Sequence, residues 1–454
     1  MSAAEKSPPQ SLNQEFLYAF DKGEQQGAFG DRHTLVYGWR VRGTVDTATL
    51  SAALADVVVR HEILRTSLEV DGDIRYQKIH PASPAGLREL ALDPDGDRDD
   101  TAEALLNTVD AEPFPAARIP HLGAVLGRFD GDDAVLVLAA HHVATDPWSI
   151  GLIAQDLAEC YAARRDGMSP AAWDGGQYRD YAEWQRAPEA AETTAPAAAY
   201  WRTHLDGARI LGVPVDRIQP PGQVNTYAVH RFLLDRDLTG RTTALARSAH
   251  CSPFMVLLAA YCLLLRRTTG RTDIVVPTFT AGRYQDRFTR VVGPFYNFVP
   301  LRVDLAGCDT FRDVVVRART TCIEAYRYDI PFTQILAEAP DLVATFADPG
   351  LAVAAFELLQ SPASFTGDKV GDLVYTEIRR RVRSQDVSSQ IPDGALWAID
   401  VLPSGELAAG IKFNPNVFDR ETWVRTAAEF AVVLTAAVAD PDGPLSPAAS
   451  GAAA

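Results

Sequence analysis

Cysteine is scarce in this chain: Cys160, Cys251, Cys262, Cys308 and Cys322 are five among 454 residues, and no two form a Cys-x-x-Cys pair. An odd, scattered set does not build a disulfide framework or a zinc ribbon, and it fits reduced thiols in the cytoplasm. Basic residues are outnumbered, 43 Lys and Arg against 59 Asp and Glu, for a net charge of −16. That balance argues against nucleic acid or an anionic membrane as the main partner. No run of about 18 uncharged apolar residues is present, so no membrane span is expected. Met1 to Gln14 is polar and lacks the apolar core of a signal peptide. The phosphate-binding glycine loop, the Gly-x-Ser-x-Gly elbow and the dinucleotide fingerprint are all missing, which disfavours kinases, serine hydrolases and dehydrogenases.

What is there is an ordinary globular mixture, 47% hydrophobic and 22% charged, in a chain long enough for two domains with full cores. Strand-like Thr34–Arg42 precedes a helix over Asp46–Arg60, and loop-rich acidic sequence spans Asp93–Asp100. The second half repeats the mixture, with a strand at Ala228–Leu234, a helix at Pro253–Arg267 and a strand at Asp273–Thr278. Such alternation implies an α/β or α+β fold. Residues 186–198 and the Pro/Gly stretch 213–223 mark a boundary, giving domains 1–185 and 186–454. Residues 1–11 and about 443–454 read as loose tails.

The richest segment is Ala140-His141-His142-Val143-Ala144-Thr145-Asp146-Pro147-Trp148-Ser149. Asp133–Ala140 reads as a buried strand that feeds into two histidines. Neighbouring strand side chains point to opposite faces, so one imidazole is expected at a site and the other in the structure. Asp146 followed by Pro147 is a helix start, carboxylate at the N-cap and proline at the first helical position. Ile150, Ile153, Ala154 and Leu157 then recur at helical spacing. A helix starting at Pro147 leaves His142 outside it, which speaks against a metal pair with Asp146. The plain readings are a satisfied core histidine and a mere N-cap.

The string resembles the His-His-x-x-x-Asp-Gly motif of nonribosomal peptide synthetase condensation domains, of the chloramphenicol-acetyltransferase-like superfamily. Further segments resemble that family's motifs in the right order. They are Ser11 with Gln14, Arg60–Thr66, Tyr178–Trp184, Val292–Arg302, Tyr328–Phe332 and Gly405–Phe418. Together they run from about residue 11 to 440. Pro147 replaces the motif's glycine and has no N–H to offer an oxyanion. The region Phe16–Asp21 departs from the family's aromatic pattern and is similar to free-standing condensation enzymes, including those of enediyne pathways.

The resemblance implies two acetyltransferase-like lobes in a V, with a tunnel through the middle. It implies transfer of an acyl or aminoacyl group from a carrier-protein phosphopantetheine thioester to an amine or alcohol, forming an amide or ester in natural-product biosynthesis. The partners implied are the loaded carrier, met in trans, and a small-molecule or carrier-bound acceptor. No cofactor or metal is expected on the enzyme itself, since phosphopantetheine arrives on the carrier. His142 would act as base or positioning group, with His141 structural. Asp146 would hold the loop and pair with Arg283, while Trp148 and Asn297 would line the tunnel or merely pack. Arg60, Arg65, Tyr178 and Asp180 read as architectural, and Cys251 as a small buried hydrophobe. A basic run, Arg379-Arg380-Arg381-Val382-Arg383, is either a solvated face or a docking site for an acidic carrier. Two other readings stand beside the leading one: a non-catalytic carrier-recruiting module, and an ester-forming acyltransferase with another thioester donor.

Overall fold

The computed structural model describes residues 7–21, 26–283, 285–359, 364–391 and 394–445. Two sheets organise it. The first has six strands in the order Thr366–Val370, Leu373–Glu377, Thr34–Arg42, Asp133–His141, Leu122–Arg128, Gly86–Ala91. All pairs are antiparallel except Gly86–Ala91 with Leu122–Arg128. The central strand Asp133–His141 is covered on both faces. Leu136 and Leu138 pack with the helices Thr47–Arg60 and Pro147–Arg165, while Val135 and Val137 pack with the helix Arg98–Asp110. Burial on both sides explains why this strand is a continuous apolar run rather than an alternating one.

The second sheet has the order Gly212–Pro214, Leu351–Leu358, Ala395–Val401, Leu407–Phe413, Ala228–Leu234. Its outer face carries the second core, into which the helices Pro253–Thr269, Phe311–Arg327 and Arg420–Ala439 pack. Among the described residues Arg420–Ala439 is the one single helix long and apolar enough to cross a membrane, but it buries Trp423, Phe430, Val433 and Leu434 in this core.

The two lobes are interwoven. The hairpin Thr366–Glu377, from the later part of the chain, completes the first sheet, with Trp39 opposite Glu377 and Arg42 opposite Val374. It crosses the boundary drawn between residues 185 and 186. The N-terminal helix Leu12–Leu17 bridges the cores too, burying Phe16 in the second and Leu17 in the first.

Some local expectations need correction. Residues 188–204 form a helix, because alanine favours helix and Pro188 occupies its first turn, where no amide donor is needed. The acidic loop is shorter than expected, since Asp97 accepts from the amides of Asp99 and Asp100 and starts the helix Arg98–Asp110. Residues 8–10 are not loose: Gln10 is buried and its amide donates to the Arg75 carbonyl. The tail 446–454 lies outside the described residues.

Candidate active site

The site is built where the strand Asp133–His141 ends. His141 is its last residue and points inward: its Nε2 lies 2.8 Å from the Gly30 carbonyl, and its Nδ1 accepts from the Val143 amide at 3.2 Å. A carbonyl only accepts, so the proton sits on Nε2. Both nitrogens are spent inside the protein.

His142 follows in the turn, and its amide donates to the His33 carbonyl at 2.8 Å. Its Nδ1 lies 2.8 Å from the Thr145 carbonyl, so Nδ1 carries the proton and Nε2 holds a free lone pair. The ring stacks on His33 at 4.6 Å between centroids and meets Tyr296 at 4.4 Å. Burial, aided by the charges of His141 and Lys412, pulls the His142 pKa down to about 4. Burial likewise lowers His33 to about 3. Both imidazoles are therefore neutral at pH 7.

Asp146 holds the loop from the other side. Its Oδ1 accepts from the Ser149 amide at 2.7 Å, capping the helix Pro147–Arg165, and its Oδ2 accepts from the Phe295 amide at 3.0 Å. Arg283 Nη2 lies 3.3 Å from Asp146 Oδ1 and donates to Ser149 Oγ at 2.8 Å. Arg283 also donates to the carbonyls of Phe288 and Val291 at 3.0 and 2.8 Å, and its guanidinium stacks 4.0 Å from the Phe295 ring. Gly282 supplies the approach: its φ is +62° and a Cβ there would overlap the Phe295 carbonyl. The carboxylate is thus saturated, and it positions the histidine loop rather than facing the cavity with free lone pairs.

A cavity of about 520 Å³ lies between the lobes, with His142, Asp146, Pro147, Trp148 and Tyr296 on one side and the inner face of the second sheet on the other. Trp148 lines it while its indole N–H donates to the Thr289 carbonyl at 3.0 Å. Asn297 does not line it. Strand alternation turns Tyr296 to the cavity and Asn297 away, where its amide donates to Asp329 and to the Ile330 carbonyl at 2.7 Å each and its Oδ1 accepts from Phe332.

The residues read as architectural stay so. Arg60 and His61 both bond Asp156, at 2.7 and 2.6 Å; Arg65 donates to the His80 carbonyl and Tyr178 to the Pro294 carbonyl; Asp180 accepts from the Gln177 amide. Burial raises the Cys251 thiol pKa, which disfavours the thiolate, and Cys251 is not among the cavity-lining residues. The basic run is partly solvated, with Arg380 and Arg383 exposed, and each of its arginines has an acidic partner. Arg379 pairs with Asp400, Arg380 with Glu406, Arg381 with Asp110 and Arg383 with Asp100. It ties the helix Arg98–Asp110 to the second sheet, a structural role for Arg379, Arg381 and Arg383. Among the described residues no group of three or more His, Cys, Asp or Glu could hold a metal ion.

Sequence reading missed His33, Tyr296, Glu357, Glu377, Gln390 and Lys412, all of which line the cavity. His33 sits directly before a strand, and Glu357 and Lys412 are charges inside otherwise apolar strands, which is the signal that was available.

The lobes, the histidine turn and the cavity between them define a chloramphenicol-acetyltransferase-like fold. The condensation-domain family model matches residues 14–450, and the chain belongs to that family. A component of the linear gramicidin synthase of Brevibacillus parabrevis is 31% identical over 442 residues, 96% of this chain but 8% of that protein. Phosphinothricin tripeptide synthetase PhsB of Streptomyces viridochromogenes is 29% identical over 448 residues, 96% of this chain and 36% of that protein. This chain thus spans a small part of the curated relatives it matches. Among solved structures, SgcC5 of Streptomyces globisporus, in complex with (R)-(-)-1-(2-naphthyl)-1,2-ethanediol and sucrose, superposes with a TM-score of 0.92 and 44% identity, covering 96% of this chain and 100% of that one. The X-domain from teicoplanin biosynthesis shares the fold, with a TM-score of 0.76 and 24% identity over 97% of this chain and 96% of that one.

Proposed function

We propose that this protein is a condensation enzyme that meets its carrier in trans. It transfers an acyl or aminoacyl group from the carrier's phosphopantetheine thioester to an amine or alcohol. The observation that carries this reading is His142: its Nδ1 proton is fixed on the Thr145 carbonyl, which leaves the Nε2 lone pair at a cavity between two lobes. A thioester is already activated, so the protein needs only to align two substrates, handle one proton and exclude water. Nε2 accepts a hydrogen bond from the attacking N–H or O–H. As the new bond to the acyl carbon forms, that proton moves by way of His142 to the departing thiolate. The depressed basicity of His142 favours orienting the nucleophile over early proton removal, and negative charge developing on the acyl oxygen raises it as the reaction proceeds. The diol bound to SgcC5 supports the alcohol side of the choice, hence an ester product. No resident cofactor is part of the proposal.

The test offers carrier-bound aminoacyl donor with an amine and with an alcohol acceptor, and follows products by mass spectrometry for the wild type and His142→Ala. A condensed product that disappears in the variant supports acyl transfer and distinguishes ester from amide. Carrier binding without product from the wild type would favour the recruiting module instead.

A further inference from the structure

The inner face of the second sheet carries charges that the proton chemistry does not use. Along Leu351–Leu358, Phe356 points into the core and Glu357 to the cavity. The residues in register with Glu357 across the next two strands are Ala398 and then Gly410, so no neighbouring side chain on the sheet covers its carboxylate. No hydrogen bond or ion pair reaches that carboxylate among the described residues. Burial pushes it up to about 7, against the pull of Lys412, which itself bonds Ser389.

The facing lobe adds Tyr37 and Glu377. Tyr37, Glu377, Glu357 and Asp400 line the same cavity, and burial first, then the charges of Glu377, Glu357 and Asp400, raise the Tyr37 phenol. Glu377 Oε2 is buried without a hydrogen bond of ordinary geometry, although the Ser364 hydroxyl and the Arg379 charge bear on its carboxyl, whereas Asp400 is already paired with Arg379. At the histidine end of the same cavity Gln390, only 6% exposed, leaves both its amide nitrogen and its oxygen without a partner. Buried carboxyl and amide groups left unpaired are costly, and a polar ligand removes that cost. A metal ion is the wrong ligand here, because no cluster of three ligating side chains exists among the described residues.

We propose that the acyl group bound in this cavity carries a protonated amine, and that Glu357, faced by Glu377 and Tyr37, is the residue that selects it. This rests on the acyl-transfer reading and narrows it: the donor is an aminoacyl thioester with its amino group free. The same contact has a chemical use. An amine held as ammonium by a carboxylate has no lone pair, so it cannot attack the neighbouring thioester. The acceptor at His142 is left as the nucleophile. Gln390 then faces the polar groups nearer the reacting carbon.

The experiment compares two non-hydrolysable ligands, phenylalanyl-pantetheine amide and its des-amino counterpart phenylpropionyl-pantetheine amide, by calorimetry. The proteins are the wild type, Glu357→Gln and Glu357→Ala. The expected result is that the wild type binds the amine-bearing ligand about 10-fold or more tightly than the other. In both variants that preference collapses because the amine-bearing ligand weakens, while the des-amino ligand is unchanged or tighter. Equal binding of the two ligands by the wild type, no binding of either, or a preference that survives in both variants overturns the proposal. Binding is read without turnover. An amine preference that depends on Glu357 in a protein that makes no condensed product would therefore sink the acyl-transfer reading while leaving Glu357 as the selector of an amine-bearing ligand.

Discussion

Arg283 and Asp146 lie 3.3 Å apart, each side chain 2% exposed, across 137 positions of sequence. The pair locks the histidine turn against the segment 288–295, which reaches into the first core through Phe288, Val291 and Phe295. Its role is to fix where His142 sits.

Removing one member should therefore cost both stability and activity. Asp146→Ala leaves a buried guanidinium with carbonyl partners but no counter-charge and uncaps the helix, for a loss of about 3–5 kcal/mol. Chemical denaturation measures it. A loss below about 1 kcal/mol, the level of a surface pair, would contradict this account.

Gly282→Ala tests the same lock from the backbone. The positive φ and the overlap with the Phe295 carbonyl both oppose a side chain. The expected outcome is a lower melting temperature with kcat reduced along with it, while His142→Ala loses kcat by about 100-fold or more with little change in melting temperature.

The rate should resist acid. The competent, neutral form of His142 is present above its pKa of about 4 and is lost only as pH falls through that value. At saturating donor, where loss of donor affinity through Glu357 no longer counts, the acid limb of kcat is accordingly expected well below the ordinary imidazole value of about 6.5. A limb near 6.5 would show that His142 is open to water.

Stability should fall on mild acidification. His33, His121 and His142 have folded pKa values of about 3, 4 and 4 against an ordinary 6.5, so each contributes fully above 6.5 and less as pH falls from there. Glu357, raised from 4.5 to about 7, acts oppositely: its contribution is complete below 4.5 and fades as pH rises through 7. Glu377 shifts in the same direction. Each fully shifted group is worth about 1.4 kcal/mol per pH unit, and the histidines outnumber the raised carboxyls. Urea midpoints at pH 6.5 and 5 should show a net loss, and a flat or rising stability would refute the balance.

The arginine clasp gives a negative expectation. Arg380→Glu should leave carrier affinity unchanged at low salt if contact with Glu406 is the whole role of Arg380, and a loss of affinity there would assign the exposed arginine to carrier docking. Arg381→Ala should lower stability, since it bonds Asn107 and faces Asp110 at 3.8 Å beneath the cavity.

The histidine turn was legible because its chemistry is local. A strand, two histidines, a capping aspartate and a proline follow one another within one stretch, and each has a conformational consequence that one sequence displays. The same holds for Thr34–Arg42 and Ala228–Leu234, whose structural bounds match the sequence reading. What escaped is non-local. The partners of Arg379–Arg383 lie on other elements, so a run that reads as one basic patch becomes separate ion pairs. Asn297 and Tyr296 are neighbours with opposite orientations, and only the register of their strand decides which faces the cavity.

The crossing hairpin also limits how the molecule can breathe. Swinging the lobes apart like a clamshell would peel a backbone ladder running from Trp39–Glu377 to Arg42–Val374 and bare a strand edge. The space around His142 is consequently closer to the eye of a needle than to a jaw, because the hairpin stitches its two sides together.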